Sequence, residues 1–253
     1  MKTRKLLIVA MALLGCVETA RADEITLIGP GGVKAAVEKL IPAFEKKTGH
    51  KVKATFGSGL GTKKQVASGE PFDVPIVQPP FPEVLASGHV IASSATPLAT
   101  VAVGVAVRTG SARPDISTPE AVKRMLLGAK SISYPDPSGG AAAGVSFTET
   151  LKTLGIAEQM KPKIKLAPGG AAAMAALAKG EVEIGLTFIS EILTEPGVES
   201  VGPLPRAIST PTGLVGFVSA HATSPAAARA LLAYLASPEA APVYKAVGMT
   251  PGK

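Results

Sequence analysis

Apolar residues recur along this chain in two alternating rhythms. Short β-type runs at 24–28, 52–56 and 74–77 are separated by stretches of helical period. The clearest helix is predicted over 33–48. Val33, Val37, Leu40, Ile41 and Phe44 share one face there, and Lys39, Glu45, Lys46 and Lys47 fall mostly on the other. Gly49 ends it as a C-terminal glycine should. Shorter helices follow at 62–68 and 82–87, closed by Gly69 and Gly88. This β-α-β-α-β-α order predicts a mostly parallel sheet with right-handed crossovers.

A second unit repeats the rhythm. The run at 101–108 (VAVGVAVR) predicts one long apolar strand. Strands at 131–134, 163–166 and 184–188 alternate with helices at 118–127, 142–154 and 171–179. The first of these helices is capped by Ser117 or Thr118, and Gly155 and Gly180 stop the other two. A strand at 214–220 and helices at 224–236 and 238–247 complete the pattern. The last segment is too short to form a third unit, so it is expected to return to the first. The expected fold is α/β with two lobes: 23–101 with 213–253 in one, 102–212 in the other. Crossing segments near 101–107 and 213–217 would join them. Two crossings place a cleft at the join, where ligands commonly bind.

Residues 1–22 change the picture of the start. Lys2, Arg4 and Lys5 precede an apolar run at 6–15 and an Ala20-Arg21-Ala22 cleavage site, the pattern of a secretory signal. The apolar run is too short for a spanning helix, which needs about 20 residues. Leu13-Leu14-Gly15-Cys16 also resembles a lipoprotein cleavage box, but Ala20-Arg21-Ala22 is the better site. Either route exports the protein, and a periplasmic location is expected. Cleavage after Ala22 leaves 231 residues with 22 basic against 18 acidic side chains, so the formal charge falls from +7 to +4. That mild, evenly spread excess argues against a nucleic-acid partner. The only cysteine, Cys16, leaves with the signal, so no disulfide or thiolate metal site is expected. Nor is a cofactor, and a monomer is expected.

Candidate chemistry centres on a recurrence. Pro30-Gly31-Gly32, Ser58-Gly59-Leu60-Gly61, Pro137-Ser138-Gly139-Gly140 and Pro168-Gly169-Gly170 each stand between a strand and a helix. One such loop means little, because tight β-α turns often need glycine. Four, two to each lobe, point to helix N-termini converging on an anion, since the unpaired N–H groups of a helix start carry partial positive charge.

These loops, with Phe44-Glu45-Lys46-Lys47-Thr48-Gly49, Ala67-Ser68-Gly69-Glu70-Pro71-Phe72-Asp73-Val74, Asp136-Pro137, Leu151-Lys152-Thr153-Leu154-Gly155 and Ser237-Pro238-Glu239-Ala240-Ala241, resemble the periplasmic molybdate-binding proteins of ABC importers. The resemblance covers nearly the whole mature chain. It implies a type II periplasmic-binding-protein fold, a small anionic ligand and an ABC permease as partner. The ligand-binding residues it implies, with the loops above, are Gly31, Gly32, Ser58, Gly59, Ser138, Gly139, Gly140, Ala143, Ala171, Ala172 and Phe188. The molybdate binders use two loop serines and a tyrosine hydroxyl, which fall here on Gly32, on Gly59 with Ser58 adjacent, and on Phe188. Losing three hydroxyl donors should weaken oxyanion binding at about 1–3 kcal/mol each. The glycines leave more room, which favours an organic polycarboxylate. The same family includes aconitate isomerase, an enzyme that shifts a proton between two carbons of a tricarboxylate.

Few titratable residues lie near the loops. Lys34 and Lys63 read as solvated helix-face charges or carboxylate binders, Asp136 as a turn cap, and Glu191 as a helix cap or a group at the cleft edge. Tyr134 reads as core or rim. Arg108, Arg113 and Arg206 are candidates to hold a polycarboxylate, Arg108 the best placed. His50, His89 and His221 are scattered and show no metal-ligand spacing. No nucleophile elbow, zinc-protease motif or P-loop occurs. The expected function is an exported anion-binding carrier of an ABC-type importer, with an aconitate-isomerase-like proton shuttle as the alternative and a sensor or adhesion module as the third. Catalytic residues are not identified.

Overall fold

The computed structural model describes residues 22–252, so the expected leader, Cys16 included, lies outside the described residues except for Ala22. The chain first runs β1 (Glu24–Pro30), α1 (Gly31–Thr48), β2 (Lys51–Gly57), α2 (Gly59–Ala67), β3 (Val74–Val77), α3 (Pro82–Ala86) and β4 (Thr96–Val101). It continues through β5 (Val103–Arg108), α4 (Pro119–Gly128), β6 (Ile132–Pro135), α5 (Ala142–Thr153), α6 (Ala157–Met160), β7 (Ile164–Ala167), α7 (Gly170–Ala178), β8 (Ile184–Phe188), α8 (Ile189–Ile192) and β9 (Val198–Pro203). It returns through β10 (Thr212–Gly216), α9 (Pro225–Leu235), α10 (Ala241–Ala246) and β11 (Met249–Pro251).

Two sheets result. One has the order β11-β4-β10-β3-β1-β2 and the other β7-β6-β8-β5-β9. Helices pack on them to give two α/β lobes with a cleft between. Neither sheet is mostly parallel, as the element order had predicted. β1 pairs in parallel with β2 and β3, and β6 with β7 and β8. β4, β5, β9, β10 and β11 all pair antiparallel. The reason is the crossing: β5 and β10, which enter a lobe from the other, start at the join and run against the local direction, whereas β4 and β9, which leave, run with the parallel strands and pair antiparallel with these entering strands.

The crossings also sit differently from the sequence expectation. The apolar run 101–108 is not one strand. β4 ends at Val101 in the first sheet, β5 begins at Val103 in the second, and Ala102 is the passage between them. The second passage is 204–211, ahead of the expected 213–217, which instead lies largely within β10. Apolar continuity shows that a stretch is buried but not which sheet buries it.

α1 shows how the core is made. Its buried face is Val33, Ala36, Val37, Leu40 and Phe44. Phe44 meets Tyr234 of α9 with ring centroids 5.6 Å apart, so the returning segment closes over the first lobe. Asp73 fastens it. Its carboxylate accepts from Thr26 N and Oγ1, each at 2.7 Å, and from Thr223 N at 2.7 Å and Oγ1 at 3.0 Å. Burial pulls the Asp73 carboxyl up, but these four bonds outweigh it and hold the group below the ordinary carboxylate range.

Candidate functional site

The parallel strands β1, β2, β6, β7 and β8 all end at the join between the lobes, and the helix after each begins there. Carboxyl ends of strands are where open α/β sheets bind ligands. A cavity of about 450 Å³ occupies this position, walled by the starts of α1, α2, α5, α7 and α8.

α1, α5 and α7 follow Pro30, Ala141 and Gly169, and none of the three has a side-chain cap. No acidic residue stands in their first turns. A helix start normally recruits Ser, Thr, Asp or Asn to satisfy an orphan amide. Here the first-turn amides remain open toward the cavity, three positive helix ends around one space. Only α2 is capped: Gly61 N donates to Ser58 Oγ at 3.0 Å.

Of the residues expected at the site, Gly31, Gly32, Ser58, Gly59, Ala143, Ala171 and Phe188 line the cavity. Four others do not. Ser138 and Gly139 are exposed, because Asp136 accepts from Ser138 N at 2.8 Å and folds this loop into a tight turn bulging outward, so that α5 begins only at Ala142. Gly140 lies in an adjoining cavity, where its carbonyl accepts from Leu60 N across the lobes at 3.1 Å. Ala172 stands one residue past the part of α7 that faces the cleft. The arginines are corrected too. Arg108 and Arg113 line a separate depression in the second lobe, and Arg206 lines the adjoining cavity. Lys34 stands at the cleft, 3.9 Å from Glu38 and largely solvated. Lys63 donates to Pro80 O at 2.8 Å in the adjoining cavity. Tyr134 is core, packed edge-on against Phe147. His89 and His221, far apart in sequence, meet with ring nitrogens 2.8 Å apart.

Two polar side chains give the cavity its chemistry. Glu191, in the single turn of α8, reaches between the lobes. A Cβ at Gly31 would lie 3.2 Å from Glu191 Oε1, and one at Gly170 would collide with Oε2 and with Thr187 Oγ1. The carboxyl thus sits between the starts of α1 and α7, from opposite lobes. Thr187 Oγ1 donates to Oε2 at 2.5 Å. Burial pushes the Glu191 carboxyl above its ordinary range, and the bonds from Thr187 and the Phe188 backbone offset this only in part. The second is Gln78, just past β3, which the sequence reading missed. It is 3% exposed, and neither amide atom has a partner. A Cβ at Gly59 would strike its Oε1, so the glycine at the start of α2 makes room for it. An amide ending a wholly apolar strand (VPIV) before Pro79-Pro80 was the available signal.

The lobes touch around the cavity. Ser190 Oγ donates to Gly32 O at 2.8 Å, a buried bond across the cleft. Among the described residues no group of three or more His, Cys, Asp or Glu could hold a metal ion, and no helix is long and apolar enough to cross a membrane. The arrangement can therefore hold an anion on neutral dipoles while presenting one carboxyl of raised proton affinity to it.

Comparison with known proteins agrees with this geometry. A curated aconitate isomerase from a Pseudomonas species is 32% identical over 234 residues, covering 90% of this chain and 87% of that protein. The molybdate-binding protein ModA of Azotobacter vinelandii is 29% identical over 248 residues, 96% of each chain. The solved periplasmic molybdate-binding protein of Azotobacter vinelandii superposes with a TM-score of 0.76 at 21% identity, over 90% of this chain and all of that one. Its two-lobed fold is the type II periplasmic-binding-protein fold. A family model for bacterial extracellular solute-binding proteins matches residues 25–250, and the chain belongs to that family.

Proposed function

We propose that this protein is an exported, periplasmic isomerase that moves a proton between two carbons of a small unsaturated polycarboxylate of the aconitate type. The observation that carries the proposal is Glu191. A carrier of a fully ionised oxyanion gains nothing from a carboxyl in its binding cleft, because two like charges repel. A proton shift needs such a group. Burial gives it the raised proton affinity that a base facing a carbon acid requires.

In this reading the lobes close on the substrate, and first-turn amides of α1, α5 and α7 hold its carboxylates. Ionised Glu191 removes a proton from the substrate methylene. The freed electron pair spreads over three carbons and an attached carboxylate as a dienolate. Helix N-termini stabilise that charge as it forms. The same carboxyl returns the proton to the far carbon. The double bond has then moved one position, and Glu191 is ionised again. The 32% identical aconitate isomerase supports this reading. The absence of arginine from the cleft fits it too, since strong counter-ions would hold substrate and transition state alike.

The test is direct. Protein incubated with cis-aconitate and followed by proton NMR is expected to form the trans isomer. Thermal stabilisation by trans-aconitate or molybdate without turnover would overturn the isomerase and leave a carrier. That second reading is favoured by the family and by the molybdate-binding relative. In it the same closure presents an anion to an ABC-type permease.

A further inference from the structure

The arginines that the sequence offered for a polycarboxylate converge elsewhere. On the second lobe, at the end of its sheet opposite the cleft, lies a depression of about 610 Å³. Its walls carry Arg108 from the end of β5, Arg113 from the following loop, Arg124 from α4 and Lys130 from the turn before β6, against a single carboxylate, Glu183. None of the four cations stands within 4.0 Å of a carboxylate among the described residues, although seven other ion pairs do form.

One of these cations is held by backbone, and another is given room by a glycine. Arg113 Nη2 donates to Ser200 O at 2.8 Å and to Val201 O at 3.2 Å. Arg108 Nη1 lies 2.9 Å from where a Cβ at Gly180 would stand, and Gly180 has φ +75°, so a glycine just past α7 leaves space for the guanidinium. Glu183 is engaged as well, its Oε2 accepting from Lys130 N at 2.7 Å. Asp115 offsets Arg124 in part at longer range, yet positive side chains outnumber negative ones in this depression, and an anionic ligand would offset the remaining repulsion. Their forked donors match paired oxyanion oxygens. The four come from different elements around one depression. That suits a tetrahedral, multiply charged group better than a flat carboxylate.

We infer that this depression is a second anion site, distinct from the cleft, that takes a small soluble ligand bearing a diphosphate or comparable condensed phosphate. Inorganic pyrophosphate is the probe. Calorimetry on the whole protein at low salt is expected to show one site per chain. Arg108→Ala and Arg124→Ala are each expected to weaken it at least tenfold, and added NaCl to weaken it further. Arg124 is exposed on α4, so its variant tests the site even if Arg108→Ala fails to fold. Glu191→Gln, in the cleft, is expected to leave pyrophosphate binding unchanged, so the outcome does not depend on what the cleft does. No heat of binding, binding indifferent to the Arg124 substitution, or binding lost in Glu191→Gln would each overturn the inference. So would capture by phosphatidylglycerol vesicles with no response to pyrophosphate, which would assign the patch to a membrane surface.

Discussion

The ring of Phe188 rests on Gly32. A Cβ at residue 32 would stand 2.8 Å from Phe188 Cδ2 and 3.1 Å from Cε2. These are two of the positions at which molybdate-binding proteins, by the sequence resemblance, carry a serine and a tyrosine. The aromatic ring from one lobe fills the volume that a side chain at residue 32 on the other would need.

Gly32→Ser alone should therefore overpack the lobe interface, at a cost of about 1–3 kcal/mol. In a Phe188→Ala background the same serine should cost almost nothing. A double-mutant cycle by chemical denaturation measures the coupling. Strict additivity would show that the ring does not constrain residue 32.

Closure depends on few direct bonds between the lobes, so each should be felt in affinity. Ser190 Oγ to Gly32 O is the buried one. Ser190→Ala removes that bond from the closed form, while the open form loses nothing. Ligand binding should weaken by about 1 kcal/mol, roughly fivefold. Titration calorimetry with the cleft ligand checks it. An unchanged affinity together with a lowered melting temperature would make the bond a prop of the second lobe instead.

The cleft could be anticipated from sequence because its key feature is local. Glycines between a strand and a helix place helix starts at strand ends, whatever the rest of the chain does, and seven of the eleven residues assigned to the site line the cavity. What the sequence left open is fixed by the meeting of distant segments, as with Glu191, read there as a helix cap or a group at the cleft edge. Glu191 becomes a cleft carboxyl only because α8 of one lobe packs against the start of α1 in the other. Arg108 closes an apolar strand near the passage between lobes in sequence, yet it sits at the end of β5 remote from the cleft, because β5 runs antiparallel to β8. The break at Ala102 was hidden for a similar reason: both sides of it are equally apolar, and only the sheets differ.

Asp73 ties the returning segment to β1 through Thr26 and Thr223, with its carboxyl held below the ordinary range. The unfolded chain binds this proton more readily than the folded one. The bond network therefore contributes its full stability above the unfolded-state pKa of about 3.9, and that contribution is lost as pH falls through the lower folded value. Asp73→Asn should destabilise the protein by about 1–3 kcal/mol near neutrality and by much less in acid. Urea midpoints across that pH range supply the check, and a loss independent of pH would mean that packing around residue 73, rather than its charge, holds the segment.

Glu191 has the opposite sign. Its folded carboxyl is pushed above the ordinary range by burial, so the empty protein is most stable where the group is protonated and loses that contribution as pH rises through the folded value. The proposed chemistry starts from the ionised form. Isomerisation measured as kcat/KM should therefore rise with pH along a limb displaced above the usual carboxylate range, over the same interval in which the empty protein loses stability. A bound polyanion raises the proton affinity of Glu191 further, because it places like charge beside it, so the limb seen in kcat should lie higher still. Glu191→Gln keeps the shape and removes the titration. It should lower turnover by a factor of about 10²–10⁴. It should also flatten the fall in melting temperature with rising pH and bind the substrate at least as tightly, since one negative charge has left the cleft. If turnover and its pH limb survive in Glu191→Gln, the base is another residue, and the buried carboxyl serves only to set how readily the empty lobes close.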